Sequence, residues 1–261
     1  MDPSFLSSSN MGRIAKKALD LAETSGIQLR LVPDLHQGVA WRNPNECIDR
    51  FPATLPQRRA IGGISLLVKR GTDILISGLT LLLLLPLLLV ISIAIKLDST
   101  GPVLYSSERL GKKGQVFRCF KFRSMICDAD KHRAEIMHLN ERDGVLFKVS
   151  NDPRTTKVGR ILRRYSIDEL PQFVNVLRGD MSIVGPRPAL AGEVRNYKAT
   201  HLRRFDVIPG ITGLWQVQAR QDPSFDSYIS LDLSYIDNWS IWLDLKIIMR
   251  TISVVLSGTG S

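Results

Sequence analysis

Asp168 and Glu169 stand side by side in YSIDELPQ, after a basic tract carrying Lys157, Arg160, Arg163 and Arg164, and Pro186-Arg187-Pro188 follows them. Paired carboxylates among cations have two readings. Proline is tolerated in the first turn of a helix and not deeper. Pro171 therefore predicts a short helix over Glu169–Leu177, starting at or near Asp168 and stopped by Arg178-Gly179. Asp168 would be its N-cap, or Ser166 and Glu169 a capping box. The second reading is chemical. A helix N-terminus binds anions, and its positive end lowers a carboxylate's pKa. Asp168 would stay ionised beside a bound phosphate. One carboxylate could attack that phosphate to give an acyl phosphate. The other could hold a magnesium ion bridging phosphate oxygens, with arginines neutralising the remaining charge. On these residues alone both readings stand.

The rest of the chain narrows the class. Its 261 residues suffice for one moderate domain plus an appendage. Lys and Arg exceed Asp and Glu by 35 to 25, a formal charge of +10. That balance implies an anionic partner: nucleic acid, anionic lipid or a phosphorylated substrate. Neither a P-loop nor a GxGxxG follows a strand, so a nucleotide would not be held in either familiar way. Cys47, Cys119 and Cys127 lack CxxC spacing, which argues against a disulfide framework and a zinc site and suits a reducing cytosol. His36, His132, His138 and His201 have no metal-ligand spacing. Residues 1–30 hold no apolar segment followed by a small-residue cleavage site.

Ile74–Ile95 runs for 22 residues without a charge. Runs of ~18 or more read as membrane segments, and this one would extend ~33 Å as a helix. Pro86 removes the amide that would bond the Leu82 carbonyl, so a kink is expected. Arg58, Arg59, Lys69 and Arg70 precede the run; Lys96, Arg109, Lys112 and Lys113 follow it. Basic residues favour the cytoplasmic side, so both flanks are drawn there. A helix that breaks at Pro86 and returns to the same face is expected rather than a full crossing.

Around this segment, residues 1–60 read as an appendage and linker: a helix near Ile14–Leu21, a strand near Ile27–Leu31, then a proline-rich stretch. Beyond it, Val103–Tyr105 and Val116–Phe122 are strand-like and Ala129–Leu139 helical. Val158, Ile161, Leu162 and Tyr165 form one helical stripe; Trp242, Leu245, Met249, Ile252 and Leu256 form another. Trp215, Trp239 and Trp242 are candidates for a membrane interface.

Several long motifs resemble one family. LVKRGTD (67–73), the proline-broken apolar helix, ERLGKKGQVF (108–117), FKFRSM (120–125), DPRTTKVGRILRRYSIDELPQ (152–172), NVLRGDMSIVGPRP (175–188) and PGITGLWQV (209–217) follow in order. Together they resemble the bacterial sugar transferases, monotopic phosphoglycosyl transferases that start glycan assembly on polyprenyl phosphate. The resemblance implies an α+β, mostly helical catalytic domain with short strands, over 98–261, attached to a re-entrant membrane helix over 61–97. Within the 1–60 appendage and linker, the helix and strand at 12–33 resemble the tail of a longer relative's α/β domain. It implies transfer of a sugar-1-phosphate from a UDP-sugar to undecaprenyl phosphate, with release of UMP, at the cytoplasmic face of a bacterial inner membrane. Asp168 would be the nucleophile, and Glu169 would assist it in binding Mg²⁺ or handling protons. Pro186, Arg187 and Pro188, with Lys121, Arg123 and Arg154, would contact the donor. Lys69, Arg70 and Asp73 would anchor the chain at the membrane interface, with Pro86 at the break. Anionic lipids are expected partners and nucleic acid is not; a homodimer is admitted but not required. The competing reading is a degenerate relative, an inactive membrane adaptor, against which the intact Asp168, Glu169 and Arg187 argue.

Overall fold

The computed structural model describes residues 63–141, 147, 149 and 151–258. The helix, strand and linker expected within residues 1–60 lie outside the described residues. Among the described ones the chain is mixed and mostly helical, with two small sheets.

α1 spans Gly63–Asp98 as one helix of 36 residues with Pro86 inside it. It is long and apolar enough to cross a membrane. A proline ring disturbs the turn before it, yet the helix runs on through Pro86, so the expected break is not an interruption of helical structure. Its buried residues are Asp73, Ser77, Ile91 and Ile95, two near each end, whereas Leu79, Leu82, Leu83, Leu85, Leu87, Leu89 and Val90 are exposed. Polar groups lock the first end to the globular body. Lys69 Nζ donates to Asp244 Oδ2 at 2.6 Å and to the Val184 carbonyl at 3.0 Å. Arg70 donates to the Val176 and Leu177 carbonyls, and Asp73 Oδ1 accepts from the Ile183 amide at 3.1 Å. The second end is apolar: Ile91 and Ile95 pack with Phe122 and Leu162. Such full side-chain burials stabilise by about 1.5–3 kcal/mol each.

β1 (Leu104–Leu110) and β2 (Val116–Phe122) form an antiparallel hairpin in which Ser107 faces Cys119 and Tyr105 faces Lys121. Its turn contains the Gly111-Lys112-Lys113-Gly114 punctuation, with Lys113 and Gly114 both at positive φ. The helix expected at 129–139 is instead a run of 3-10 turns over Lys131–Leu139. Ile136 is its buried apolar residue among those described, too little packing to sustain an α-helix. α2 (Lys157–Arg164) starts on Thr156, whose hydroxyl accepts from the Gly159 amide, and Asp98 at the end of α1 accepts from Val158. Leu162 is buried, but Ile161 of the predicted stripe is 59% exposed.

A 3-10 turn over Ile167–Glu169 leads into α3 (Gln172–Arg178), which closes on Gly179 at φ +95°. β3 (Ser182–Val184) pairs in parallel with β4 (Gly210–Thr212), and between them lie the short helix α4 (Ala191–Val194) and a 3-10 helix over Ala199–Asp206. A Cβ on Gly210 would sit 2.1 Å from the Gly185 amide nitrogen, so only glycine allows this approach. α5 (Leu214–Gln218), α6 (Phe225–Asp237) and α7 (Ile241–Leu256) complete the described chain. One core joins Cys119, Val176, Met181, Val184, Tyr235 and Ile247; a second joins Leu110, Tyr197, Phe205, Trp215 and Tyr228. Trp215 belongs to this second core and Trp239 packs against the first, so of the three interface candidates only Trp242 is exposed, at 74%. α7 turns Asp244 and Ile247 inward and leaves Trp242, Met249, Ile252 and Leu256 exposed.

Candidate active site

The local fold around Asp168 differs from the expected cap. Ser166 adopts a left-handed backbone at φ +54°, and its hydroxyl accepts from Arg220 at 2.9 Å instead of capping the turn. Glu169 does not reach back to form a capping box; its Oε1 takes a 2.6 Å bond from Lys121 Nζ. Pro171 sits at the N-cap of α3, so the helix begins later than the carboxylates. Capping therefore leaves both side chains unexplained. Ser166 is a β-carbon-bearing residue in a conformation that usually goes to glycine or asparagine, a departure that tends to occur at functional sites.

Lys121 arrives from β2. Side chains two apart on a strand share a face, so Lys121 and Cys119 both point toward the carboxylates. Lys121 Nζ lies 4.0 Å from Asp168 Oδ2, so one ammonium bridges both acids. Asp168 is only 8% exposed. Burial pushes its carboxyl up, Lys121 pulls it down and the Glu169 charge pushes it up again, leaving it above the usual aspartate range. The pKa lowering expected from a helix terminus is thus outweighed by desolvation. Glu169 goes the other way. Burial alone would raise it, but Lys121 and Arg187, with Arg220, hold it down at about 2. Two adjacent carboxyls with proton affinities driven apart are the usual mark of divided chemical roles.

Beside them opens a small pocket lined by Arg109, Cys119, Lys121, Glu169, Gln172, Arg187, Pro188, Gly210, Ile211 and Gln216. The Arg187 guanidinium lies near Glu169, whose charge favours its own, and close enough to Arg109 to disfavour the Arg109 charge. Burial first, then Arg187, brings Arg109 below its ordinary value. Two mutually repelling guanidiniums in one pocket are arranged for an anion. Gln216 donates to the Ile211 carbonyl, while its Oε1 is buried without a hydrogen-bond partner among the described residues. That acceptor is suited to a ligand O–H or N–H.

The geometry thus gathers Asp168, Glu169, Lys121, Arg187 and Pro188 at one place, with Pro186 next to them in the chain. It does not bring Arg123 or Arg154 there. Arg123 donates to the carbonyls of Ile95, Ser99 and Thr100, and so caps the C-terminus of α1. Arg154 makes a bidentate pair with Asp152 at 2.6 and 2.9 Å and donates to the Ala129 carbonyl. The Arg154 guanidinium and both terminal nitrogens of Arg123 thus bond to the protein's own acceptors. Lys69, Arg70 and Asp73 likewise spend their polar groups on the globular body. Sequence reasoning missed Arg109, Arg220 and Gln216 as site residues. Arg109 had only a strand position and a nearby RLG to mark it, and Gln216 and Arg220 come from a helix and the turn after it, far along the chain.

Residues 64–258 match the sequence profile of the bacterial sugar transferases. The chain belongs to that family. Over 204 residues it is 45% identical to the galactosyl transferase CpsE of Streptococcus agalactiae, covering 75% of this chain and 44% of that protein. It is 41% identical over 207 residues to the exopolysaccharide production protein ExoY of Rhizobium meliloti, covering 78% of this chain and 90% of ExoY. Over 249 residues it is 37% identical to the UDP-glucose:undecaprenyl-phosphate glucose-1-phosphate transferase of Escherichia coli, covering 92% of this chain and 51% of that enzyme. The chain thus spans about half the length of two of these three relatives and nearly all of ExoY.

Proposed function

We propose that this chain is a phosphoglycosyl transferase. It moves a sugar-1-phosphate from a UDP-sugar to undecaprenyl phosphate, as the first membrane step of exopolysaccharide, capsule, O-antigen or glycoprotein glycan assembly. The carrying observation is the buried Asp168 beside the Lys121–Glu169 ion pair, at a pocket that also holds Arg109 and Arg187. An Asp168 oxygen attacks the sugar-linked phosphorus, and the phosphorus–oxygen bond to UMP breaks. UMP leaves with the bonding pair, and the sugar phosphate stays on Asp168 as an acyl phosphate. A lipid phosphate oxygen then attacks the same phosphorus and releases Asp168, giving a polyprenyl diphosphate sugar.

Each neighbour has a task in this scheme. Lys121 favours the ionised form of Asp168 against the pull of burial and steadies Glu169. Arg187 and Arg109 receive the phosphate charge that departs with the nucleoside, and Gln216 Oε1 accepts a hydrogen bond from the bound donor. The described residues include no group of three potential metal ligands. Mg²⁺ is usually held by one or two carboxylates completed by substrate phosphates and water, so the Asp168-Glu169 pair fits it. When bound, Mg²⁺ would offset the charge of the donor phosphates.

The same proposal seats the domain on the cytoplasmic face of a bacterial inner membrane, with 61–97 as re-entrant membrane helix, 98–261 as catalytic domain and 1–60 as appendage. Both ends of α1 pack on one globular body while its middle leucines stay exposed, which favours insertion from one side. The exposed apolar stripe of α7 would lie in the interface, with Lys246 and Arg250 beside it for anionic headgroups. The test is UMP release in detergent with undecaprenyl phosphate and Mg²⁺ across a panel of UDP-sugars, together with intact-mass detection of the phosphosugar adduct. Asp168→Asn should lose both while staying folded. An adduct that persists in that variant removes Asp168 as nucleophile, and silence of the parent chain across the panel returns the adaptor reading.

A further inference from the structure

The backbone of Pro186-Arg187-Pro188 is held in an unusual way. Two of its three residues have no amide hydrogen, so the segment cannot be fixed by an ordinary ladder. Each of its three carbonyls is instead taken by a different part of the chain. The Pro186 carbonyl accepts from the Gly210 amide at 2.9 Å, the Pro188 carbonyl from Arg109 at 3.1 Å, and the Arg187 carbonyl from Arg204 Nη2 at 2.8 Å.

Arg204 is the partner that most needs explaining. It is 3% exposed, in the 3-10 helix over Ala199–Asp206, and it does not line the pocket. Its Nε donates to Asp232 Oδ2 at 2.9 Å, its Nη1 to the Tyr197 hydroxyl at 2.5 Å, and its Nη2 to the Tyr228 hydroxyl as well as to Arg187. The guanidinium also lies 4.4 Å from the Tyr228 ring centroid. Asp232 is fully buried on α6 and reaches Arg187 through Arg204. The cluster therefore ends on the C=O of that one residue. A buried ion pair is a poor source of stability compared with an apolar core of the same shape. A rigid planar donor set is a good way to hold a backbone segment in one orientation.

We infer that Arg204, held by Asp232, Tyr197 and Tyr228, is a positioning residue that sets Arg187 for the phosphate of the departing nucleotide. This rests on the reading of Arg187 as a donor-binding residue. Arg204 touches no reacting atom; it acts by fixing the peptide from which the Arg187 side chain projects. Small misplacements of a binding group cost binding and rate out of proportion to their size.

The test uses the full chain in detergent with UMP as the probe, read by calorimetry, so that no turnover is needed. Arg204→Lys keeps a cation opposite Asp232, but one ammonium cannot serve Asp232, both tyrosines and the Arg187 carbonyl together. It should weaken UMP binding about tenfold with Arg187 present and less than about twofold in an Arg187→Ala background, because coupled residues are non-additive. Asp232→Asn, which preserves shape, should show the same dependence on Arg187. Unchanged UMP affinity in Arg204→Lys overturns the inference. So does an equal loss in both backgrounds, which would mark Arg204 as merely structural. If Arg187→Ala alone binds UMP as tightly as the parent, the donor-binding role of Arg187 fails, and this inference fails with it.

Discussion

Removing the bridging ammonium with Lys121→Met tests the electrostatic account of the site most directly. Lys121 Nζ sits 2.6 Å from Glu169 Oε1 and 4.0 Å from Asp168 Oδ2, all three side chains being less than a fifth exposed. Glu169 lies at about 2 in place of an ordinary 4.5, a displacement worth about 3 kcal/mol at ~1.4 kcal/mol per pH unit. Arg187 and Arg220 share in it, so Lys121 accounts for a portion, on the order of 1–2 kcal/mol. The sign follows from linkage. A depressed carboxyl stabilises the fold above its unfolded pKa and loses that contribution as pH falls through about 2. Asp168 is displaced upward, so its contribution is present at low pH and is lost as pH rises through its folded value. Without Lys121 both carboxyls rise, and Asp168, already above its usual range, must ionise at a still higher pH. The acid limb of kcat/KM for UMP release should therefore move up by about one pH unit or more, with the lost rate recovering as the pH is raised. The assay is a pH series of UMP release at sub-saturating UDP-sugar. A Lys121→Met enzyme whose acid limb coincides with that of the parent would refute the reasoning, even if its rate were lower.

Two further outcomes follow from the packing of α1 and α7. Asp244 accepts from Lys69, Tyr235 and Trp239, so Asp244→Ala strands a part-buried ammonium and two donors; it should cost about 3 kcal/mol or more and lower Tm in detergent by about 10 °C, and a shift under about 2 °C would contradict that accounting. Trp242 is the exposed tryptophan of the described three, so Trp242→Phe should remove most of the fluorescence quenching by brominated lipid vesicles, whereas Trp215→Phe should leave it; equal effects would detach α7 from the bilayer.

Much of the architecture was legible because it is written in local patterns. The 22-residue apolar run, the hairpin punctuated at Gly111–Gly114, the stop at Gly179 and the amphipathic helix ending near Leu256 all depend on neighbours in the chain. Long ordered motifs pointed to the family, and they brought Asp168, Glu169, Lys121 and Arg187 to notice together. The same motifs named Arg123 and Arg154, which lie away from the carboxylates in the fold. An arginine near a phosphate motif and an arginine capping a helix look alike until the acceptor is seen, and here the acceptors are the carbonyls ending α1 and the Asp152 carboxylate.

Tertiary structure decided the matters that depend on distance and desolvation. Sequence placed two acids side by side, but their opposite proton affinities come from a lysine on β2 and from burial by elements far along the chain. Ser166 and Glu169 have the spacing of a capping box; only the fold shows Arg220 and Lys121 taking those side chains away. The outward face of α7 was readable as apolar, but which side met the core was settled by Asp244 and Ile247 finding partners on α1 and in the first core. Residue types and spacing determine which groups are available and which elements carry them. Which groups meet, and with what charge, is set by long-range packing, because Coulomb energy and solvation depend on separations that no local pattern encodes.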